Sequence, residues 1–242
     1  MPEQQNIDLN ELNRTSYDKI AGEFSATRGY SWKDVDYLFE FVKSGDKILD
    51  VGCGNGRLLG NSKHKIQSTN YIGVDNSEQL IGEARKKYPE FKFEIVDLLT
   101  MNDLHDKFDT AFCVSFLNHF PKEKQNQVLQ NLKALLKPGG YLLMVNWNLW
   151  NVFNKKSVWF KLRRDPSHEL GVTHLRDRNV MTTWKSGDKE VPLYYYAFTK
   201  GELAKLLQKN GFEVVENFYV KNGKKSSWLF GNNILTVGKL TV

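Results

Sequence analysis

Residues 48–59 read ILDVGCGNGRLL, and this stretch decides the fold. A short run rich in Ile, Leu and Val reaches an acid at Asp50, and glycines follow at every second position from Gly52. Such an apolar run is typical of a buried parallel strand. Glycines directly after it allow the backbone to lie against a ligand. The stretch therefore predicts a nucleotide-binding type of loop at the end of a buried strand.

Strand-length apolar runs alternate with helix-forming segments around this loop. Strands are predicted at residues 47–52, 70–75, 91–97, 108–115 and 140–147. Helices are predicted at residues 35–42, 77–88, 121–136 and 199–210. Strands and helices that alternate at this spacing form βαβ units with a parallel sheet. The last two runs, 212–220 and 227–240, are joined by so short a turn that they must be antiparallel.

The composition is that of an ordinary globular protein. Of the 242 residues, 40% are apolar and 26% are charged, so we expect one α/β domain over residues 1–242. No apolar run is long enough to cross a membrane, and the polar residues 1–13 lack the order of a signal peptide. We therefore expect a cytoplasmic protein. The net charge of +6 is compatible with a polyanionic partner, although an excess of lysine is often only a solvated surface.

Cysteine and histidine are too sparse to predict a metal site. The two cysteines, Cys53 and Cys113, cannot form a disulfide framework or a structural zinc site alone. The five histidines show no metal-ligand spacing. We therefore predict no protein-bound metal.

The glycine loop fits neither of the common phosphate-binding fingerprints. A dinucleotide loop needs a third glycine where Arg57 stands, and a P-loop needs a Gly-Lys-Ser/Thr sequence that is absent. Acids instead end three successive predicted strands, at Asp50, Asp75 and Asp97. Asp75 is placed to accept two ribose hydroxyls, and Asp97 can bond an adenine amino group. The pattern predicts a ligand with an adenosine, a cationic centre and no phosphate.

The motifs that follow the loop resemble a known family. DVGCGNG, VDNS, VDLL, FDTAFCVSFLNHF and LLKPGGYLL, within residues 35–147, resemble the successive motifs of class I S-adenosylmethionine methyltransferases. The resemblance implies an α/β, Rossmann-like sheet of seven mostly parallel strands with an antiparallel last strand and helices on both faces. It also implies S-adenosylmethionine as cofactor and S-adenosylhomocysteine as product. The cofactor-binding residues predicted in this way are Tyr17, Arg28, Asp50, Gly52, Cys53, Gly54, Asp75, Asn76, Asp97, Leu98 and Ser115.

Flanking segments narrow the resemblance. Residues 17–32 (YDKIAGEFSATRGYSW), 178–185 (RNVMTTWK) and 194–203 (YYYAFTKGEL) resemble segments of the tRNA wobble-uridine carboxymethyl methyltransferases. These enzymes esterify the carboxylate of 5-carboxymethyluridine, so the resemblance implies tRNA as partner and, for eukaryotic members, a small zinc-binding activator subunit. Leu193 stands where the family has arginine and Tyr196 where it has histidine. Both departures lie in the predicted substrate half.

The resemblance also implies residues for the acceptor side. A carboxylate is already a nucleophile at neutral pH, so alignment matters more than a general base. His119 could orient the substrate or act as a base, but it could equally be a wall residue. Arg28 could bind a carboxylate of the cofactor or of the substrate. The predicted catalytic residues are His119 and Arg28, and the predicted substrate-binding residues are Asn118, His119, Arg178, Trp184 and Tyr195.

Two segments are expected to form the substrate side. They are the N-terminal segment 1–34 and an insertion at 148–198 that would act as a lid. Residues 148–178 contain seven basic and three acidic side chains with interleaved aromatics, a combination that suits RNA. Two other functions stay open. One is the methylation of a small carboxylate, hydroxyl or amine, and the other is a cofactor-binding subunit without catalysis of its own.

Overall fold

The computed structural model describes residues 8–28, 30–61, 66–100, 104, 106–154, 178–186 and 188–241. The strands in these ranges are β1 Ile48–Val51, β2 Tyr71–Asp75, β3 Lys92–Ile95, β4 Phe108–Val114, β5 Leu136–Trp147, β6 Asn179–Ser186, β7 Lys189–Tyr196, β8 Phe212–Lys221, β9 Lys224–Ser226 and β10 Asn233–Leu240. The helices are α1 Leu9–Ala26, α2 Glu78–Lys87, α3 Lys122–Leu135, α4 Leu149–Asn154 and α5 Lys200–Lys209. Residues Lys33–Phe41 form a 3-10 helix.

Eight of the strands form one sheet, in the order β3-β2-β1-β4-β5-β10-β8-β9. Strands β3, β2, β1, β4 and β5 are parallel, whereas β10 is antiparallel to both β5 and β8. The α/β class, the Rossmann-like core and the antiparallel last strand are therefore confirmed. The sheet has eight strands rather than the expected seven. Asn222 and Gly223, with φ of 51° and 76°, turn the chain back on β8 and add the short β9 at the edge.

Both faces of the sheet are buried, because alternate residues of the strands pack against helices on opposite sides. Leu49 of β1 joins an apolar cluster that contains Leu132 of α3 and Leu203 of α5. Its neighbour Ile48 joins a second cluster, which contains Ile81 of α2. Successive side chains of a strand point to opposite faces. The predicted helices on both faces are therefore confirmed.

Two helices begin at caps that the sequence predicts. The Ser77 hydroxyl accepts the N–H of Leu80 at the start of α2. Thr199 and Glu202 form a capping box at the start of α5. Each such cap stabilises its helix by about 1 kcal/mol.

Helix α1 is a feature that the sequence interpretation missed. Its buried residues are Asn13, Ser16, Ile20 and Ala21. Two of these four side chains are polar, so the segment lacks the apolar period that reveals a helix. The helix packs against α2 and β7.

Strands β6 and β7 form a separate antiparallel hairpin, which was also not predicted. Tyr194, Tyr195 and Tyr196 of β7 are all buried, so this strand lacks the alternation of a strand with one wet face. Residues 155–177, which hold most of the basic and aromatic segment predicted to contact RNA, lie outside the described residues. The division into an N-terminal segment and an insertion at 148–198 stays a prediction.

The last strand starts later than predicted, at Asn233 rather than at residue 227. The N–H of Gly231 donates to the carbonyl oxygen of Ser227 (2.8 Å), which closes a turn before the strand. Among the described residues, no helix has both the length and the apolar composition needed to span a bilayer.

Candidate active site

A cavity of about 850 Å³ opens at the edge of the sheet where the parallel strands end. Its wall is formed by the loop after β1, the end of β2, the turn after β4, α1 and the β6–β7 hairpin. Doubly wound sheets bind their ligands at this edge, and small-molecule sites measure about 300–1,000 Å³. The predicted site residues that line the cavity are Tyr17, Arg28, Asp50, Gly52, Cys53, Gly54, Asp75, Asn76, Ser115, His119, Trp184 and Tyr195.

The glycine loop directs its backbone N–H groups into the protein. The N–H groups of Gly52 and Cys53 donate to the carbonyl oxygen of Val74 (2.8 and 3.0 Å). The N–H of Gly54 donates to Oδ2 of Asp75 (2.9 Å). A phosphate-binding loop points such groups at its ligand instead. This arrangement supports the phosphate-free ligand predicted from the sequence.

Asp50 lines the cavity as a buried acid. Its side chain is 2% exposed, and its Oδ2 accepts a hydrogen bond from the Tyr71 hydroxyl (2.8 Å). Burial raises the pKa of Asp50 to about 7, although the hydrogen bond from Tyr71 lowers it. A buried carboxylate favours a ligand that brings a positive charge.

Asp75 is held firmly at the end of β2. Its Oδ1 accepts the N–H of Ser77 and its Oδ2 accepts the N–H of Gly54, both at 2.9 Å. A carboxylate offers about four acceptor positions, so positions remain for ligand hydroxyls. Helix α1 is attached at the same place, because Oδ1 of Asp18 accepts the Ser77 hydroxyl (2.6 Å).

Asp97 and Leu98 line a smaller pocket beside the main cavity, with a volume of about 10 Å³. Phe116 and Phe120 line both spaces, and their ring centroids lie 4.9 Å apart. Gly52 has φ of 66°, and a Cβ placed on it would lie 2.3 Å from the Phe116 ring. Asp97 and Leu98 thus lie beside this aromatic wall, and their part in cofactor binding stays a prediction.

Three arginines line the main cavity, and one of them, Arg14, is paired with Glu11 and Asp18. The Arg28 guanidinium lies 4.9 Å from the centre of the Phe24 ring. The Arg57 guanidinium lies 4.8 Å from the rings of both Tyr30 and Trp32, and its Nε is buried without a hydrogen-bond partner among the described residues. A cavity that offers both acids and cations fits a zwitterionic ligand, because each charged end finds an opposite charge.

His119 belongs to a chain of hydrogen bonds. Its Nδ1 lies 3.1 Å from the carbonyl oxygen of Tyr194 and 3.2 Å from Nδ2 of Asn13. Its Nε2 lies 3.3 Å from the Tyr17 hydroxyl, which lies 3.4 Å from the Tyr195 hydroxyl. The Asn13 side chain accepts the N–H of Tyr194 (2.8 Å) and donates to its carbonyl oxygen (3.0 Å). Burial lowers the pKa of His119 to about 4, so the ring is neutral at physiological pH.

Aromatic side chains surround this chain. Trp147 stacks on Tyr195 with 5.2 Å between ring centroids and 16° between planes. Trp184 and Leu193 complete this part of the wall. Flat rings of this kind can stack against a nucleobase. Leu193 is buried where the family has arginine, so this position adds apolar surface instead of a charge.

The structure does not bring two predicted substrate residues to the cavity wall. Asn118 is fully buried, and neither polar atom of its amide has a partner among the described residues. Arg178 forms an ion pair with Glu202, which also accepts the Tyr196 hydroxyl (2.8 Å). The substrate roles of Asn118 and Arg178 stay predictions.

Sequence reasoning missed several cavity residues. Among them are Asn10, Asn13, Arg57 and Phe116. The first two share a face of α1 with Tyr17 because residues three or four apart are neighbours on a helix, so this signal was readable only once α1 was known. In the sequence, Arg57 stands out only as the residue that breaks a glycine pattern. Among the described residues, no group of three His, Cys, Asp or Glu side chains could hold a metal.

Known proteins share a domain and a fold with this chain. Residues 48–140 match a family model described as a methyltransferase domain. One chain of the solved complex between the Haloferax volcanii Trm112 methyltransferase activator and a candidate methyltransferase superposes with a TM-score of 0.67. The match covers 95% of this chain and 98% of that one at 16% identity, and it shows a shared fold. The methyltransferase domain is therefore the family that residues 48–140 of this chain resemble.

Sequence relatives narrow the resemblance further. The tRNA (carboxymethyluridine(34)-5-O)-methyltransferase of Schizosaccharomyces pombe is 29% identical over 224 residues, which cover 87% of this chain and 92% of that protein. The Xenopus tropicalis enzyme of the same name is 33% identical over 198 residues, which cover 77% of this chain and 31% of that protein. The predicted resemblance to the tRNA wobble-uridine methyltransferases is confirmed. The chain spans between 22% and 31% of the length of the first curated relatives that it matches.

Proposed function

We propose that the chain is an S-adenosylmethionine-dependent methyltransferase that esterifies the carboxylate of a 5-carboxymethyl-type uridine at the tRNA wobble position. One observation carries the proposal. A single cavity joins two acids, Asp50 and Asp75, to an aromatic pocket that contains Arg28. The names of the relatives support the acceptor.

The residues of the cavity fit S-adenosylmethionine. Asp75 suits the ribose hydroxyls, and Asp50 suits a cationic end of the ligand. Arg28 and Arg57 are the candidates for its carboxylate. The N–H groups of Gly52, Cys53 and Gly54 donate to groups of the protein and are not available to a ligand, which is compatible with a cofactor that has no phosphate. When bound, the cofactor supplies an electrophilic methyl group, and S-adenosylhomocysteine is the product.

The acceptor side suits a carboxylate. A carboxylate is ionised at neutral pH, so the site has to align it rather than deprotonate it. Arg28 is a partner for this charge if it is not used by the cofactor. Burial raises the pKa of both Tyr17 and Tyr195, so their hydroxyls stay neutral donors. His119 is hydrogen-bonded to Tyr17 through Nε2 and thereby fixes its position.

The aromatic pocket suits the uracil ring. Trp184 and the stacked pair of Trp147 and Tyr195 offer flat apolar surfaces. Proteins hold splayed nucleobases between such rings. tRNA is therefore the macromolecular partner in this proposal.

The proposal extends to a subunit and a compartment. A Trm112 activator accompanies the structural neighbour from Haloferax volcanii, and a small activator subunit is proposed for this chain as well. Cys53 and Cys113 are both free thiols, which suits a reducing compartment such as the cytoplasm.

A small-molecule acceptor is the second candidate. Leu193 replaces a family arginine with a buried apolar side chain in the cavity wall. A pocket with fewer cations favours an acceptor with less negative charge. This reading predicts no affinity for tRNA.

One experiment separates the candidates. The protein, with any activator that co-purifies, is incubated with labelled S-adenosylmethionine and tRNA from cells that lack it, and the nucleosides are analysed by mass spectrometry. We expect a methyl ester on the wobble uridine, and none with the Asp75→Ala variant. Label in a small carboxylate, hydroxyl or amine but not in tRNA would favour the second candidate. Cofactor binding without label in either would indicate a non-catalytic subunit.

A further inference from the structure

The segment between β8 and β10 exposes large apolar side chains at the edge of the sheet where the cavity opens. We name residues 221–232, from the last residue of β8 through β9 to the residue before β10, the edge loop. Its side chains Trp228, Leu229 and Phe230 are 53%, 42% and 65% exposed. Strands β8 and β5 are both antiparallel to β10, so β8 ends, and β10 begins, at the edge where β5 ends. The edge loop therefore lies on the same side of the sheet as the active site.

Buried side chains hold the backbone of the edge loop in place. Nδ2 of the fully buried Asn148 donates to the carbonyl oxygens of Trp228 and Gly231, both at 2.8 Å. At the other end, the N–H of Gly223 donates to Oδ1 of Asp34 (2.7 Å). The backbone is therefore fixed, yet the apolar side chains of Trp228, Leu229 and Phe230 are exposed rather than packed in the core. Contiguous exposed apolar side chains mark a binding surface.

The charge of the edge loop indicates what it binds. Its sequence, KNGKKSSWLFGN, contains three lysines and no acid. All three lysines are exposed, but Nζ of Lys225 lies 3.5 Å from Oε2 of Glu216 and 4.4 Å from the centre of the Phe218 ring, which leaves Lys221 and Lys224 as the candidates for phosphates. Lysine is depleted at protein–protein interfaces, whereas cations for phosphates and rings for bases together hold single-stranded nucleic acid.

The edge loop is continuous with the active-site cavity. Asn222 and Asn232, near its two ends, line that cavity together with Asn233 and Lys33. A nucleotide in the cavity and its neighbours on the loop can therefore belong to one strand.

We propose that the edge loop binds the single-stranded nucleotides that flank the methylated base. Trp228 and Phe230 stack on bases, and Lys221 and Lys224 contact phosphates. The inference rests on the proposed function, because it presupposes an RNA acceptor. It assigns the RNA contact to residues other than the 148–178 segment that the sequence suggested.

Binding of a labelled anticodon stem-loop RNA, followed by fluorescence anisotropy over a series of salt concentrations, tests the inference. The Trp228→Ala/Phe230→Ala variant is expected to lose affinity by roughly tenfold or more, because the stacking of each base on an aromatic ring contributes substantially to binding. The Lys221→Glu/Lys224→Glu variant is expected to flatten the dependence of log affinity on log salt by about 0.7 for each lost phosphate contact. Cofactor affinity and thermal stability should match the wild type in both.

Matched controls change similar side chains elsewhere. Val215→Ala removes an exposed apolar side chain of β8. Lys209→Glu reverses an exposed charge at the end of α5, just before β8 begins at the opposite edge of the sheet. Both controls are expected to bind RNA like the wild type.

The outcomes distinguish this inference from the proposed function. If the wild type binds and methylates RNA and the edge-loop variants bind it equally well, the inference is overturned and the function stands. If the wild type neither binds nor methylates RNA, both fall. Unchanged RNA binding with loss of a co-purifying protein would make the loop a protein interface and also overturn the inference.

Discussion

The hydroxyl of Tyr17 on α1 lies 3.3 Å from Nε2 of His119, which follows β4. The other ring nitrogen faces the carbonyl oxygen of Tyr194 at 3.1 Å. Nδ1 also lies 3.2 Å from the amide nitrogen of Asn13, so it has an acceptor and a donor beside it and can be satisfied in either neutral tautomer. The histidine is thereby engaged on both nitrogens. Its geometry suits a positioning residue for Tyr17 better than a free general base.

Removing the Tyr17 hydroxyl should slow the reaction without removing it. Tyr17→Phe keeps the ring but loses a hydrogen bond worth about 1 kcal/mol, which corresponds to a roughly fivefold fall in kcat. Steady-state kinetics with the tRNA acceptor measure the change. Tyr141→Phe, in the first half of β5 and away from the cavity, is the control and should leave kcat unchanged. An equal kcat for Tyr17→Phe and the wild type would contradict the role of this hydroxyl.

The buried histidine should make stability depend on pH. Its pKa is lowered from 6.5 to about 4, so between these values the unfolded chain binds a proton that the folded state does not. Stability is therefore lost as the pH falls through this window, by about 2 kcal/mol at pH 5. Urea unfolding at pH 5 and pH 7 measures it. His119→Gln should lack this part of the pH dependence, and an identical dependence in the variant would rule out the assignment.

The central sheet and the cofactor end of the cavity could be predicted from sequence because their signals are local. Asp50 and Asp75 each follow a short apolar run, and parallel strands bring their carboxyl ends to one edge. Leu49 and Ile48 face opposite helices simply because they are neighbours on a strand. The positions of such residues can be predicted without knowing where distant parts of the chain lie.

The acceptor side could be predicted only by resemblance, because distant segments build it. His119 meets Asn13 and Tyr195 through contacts that span 106 and 76 positions. Asn13 is a buried polar residue in a helix without apolar periodicity, so its hydrogen bonds to Tyr194 had no sequence signal. The sequence predicts Arg178 as a substrate-binding residue, but in the structure its guanidinium forms an ion pair with Glu202. This pairing had no sequence signal either.

Cofactor binding should release a proton near neutral pH. The pKa of Asp50 is about 7 in the structure, whereas a bound cation favours its ionised form. Affinity for S-adenosylmethionine is therefore expected to be about tenfold weaker at pH 6 than at pH 8. Titration calorimetry in buffers of different ionisation enthalpy measures both the affinity and the proton.

Two controls test the assignment to Asp50. The Asp50→Asn variant should lose the pH dependence, and S-adenosylhomocysteine, which lacks the sulfonium charge, should show less of it. The same raised pKa means that the folded state without ligand holds a proton between pH 3.8 and 7 that the unfolded chain has released. This group therefore lowers stability as the pH rises through that window. A pH-independent affinity for S-adenosylmethionine in the wild type would refute the prediction.

Asp75 should dominate cofactor affinity. Two hydrogen bonds from ribose hydroxyls to a carboxylate are worth about 1.5–3 kcal/mol each, so Asp75→Ala is expected to weaken binding by about a hundredfold or more. The variant also leaves the N–H groups of Gly54 and Ser77 without their acceptor, so its free energy of unfolding must be measured by urea titration. Asp75→Asn retains an acceptor oxygen for one of these groups. Its cofactor affinity and stability are expected to lie between those of the wild type and of Asp75→Ala. Glu78→Ala, an exposed acid in the first turn of α2, is the control for charge. If Asp75→Asn is folded and binds S-adenosylhomocysteine as tightly as the wild type, Asp75 does not hold the ribose.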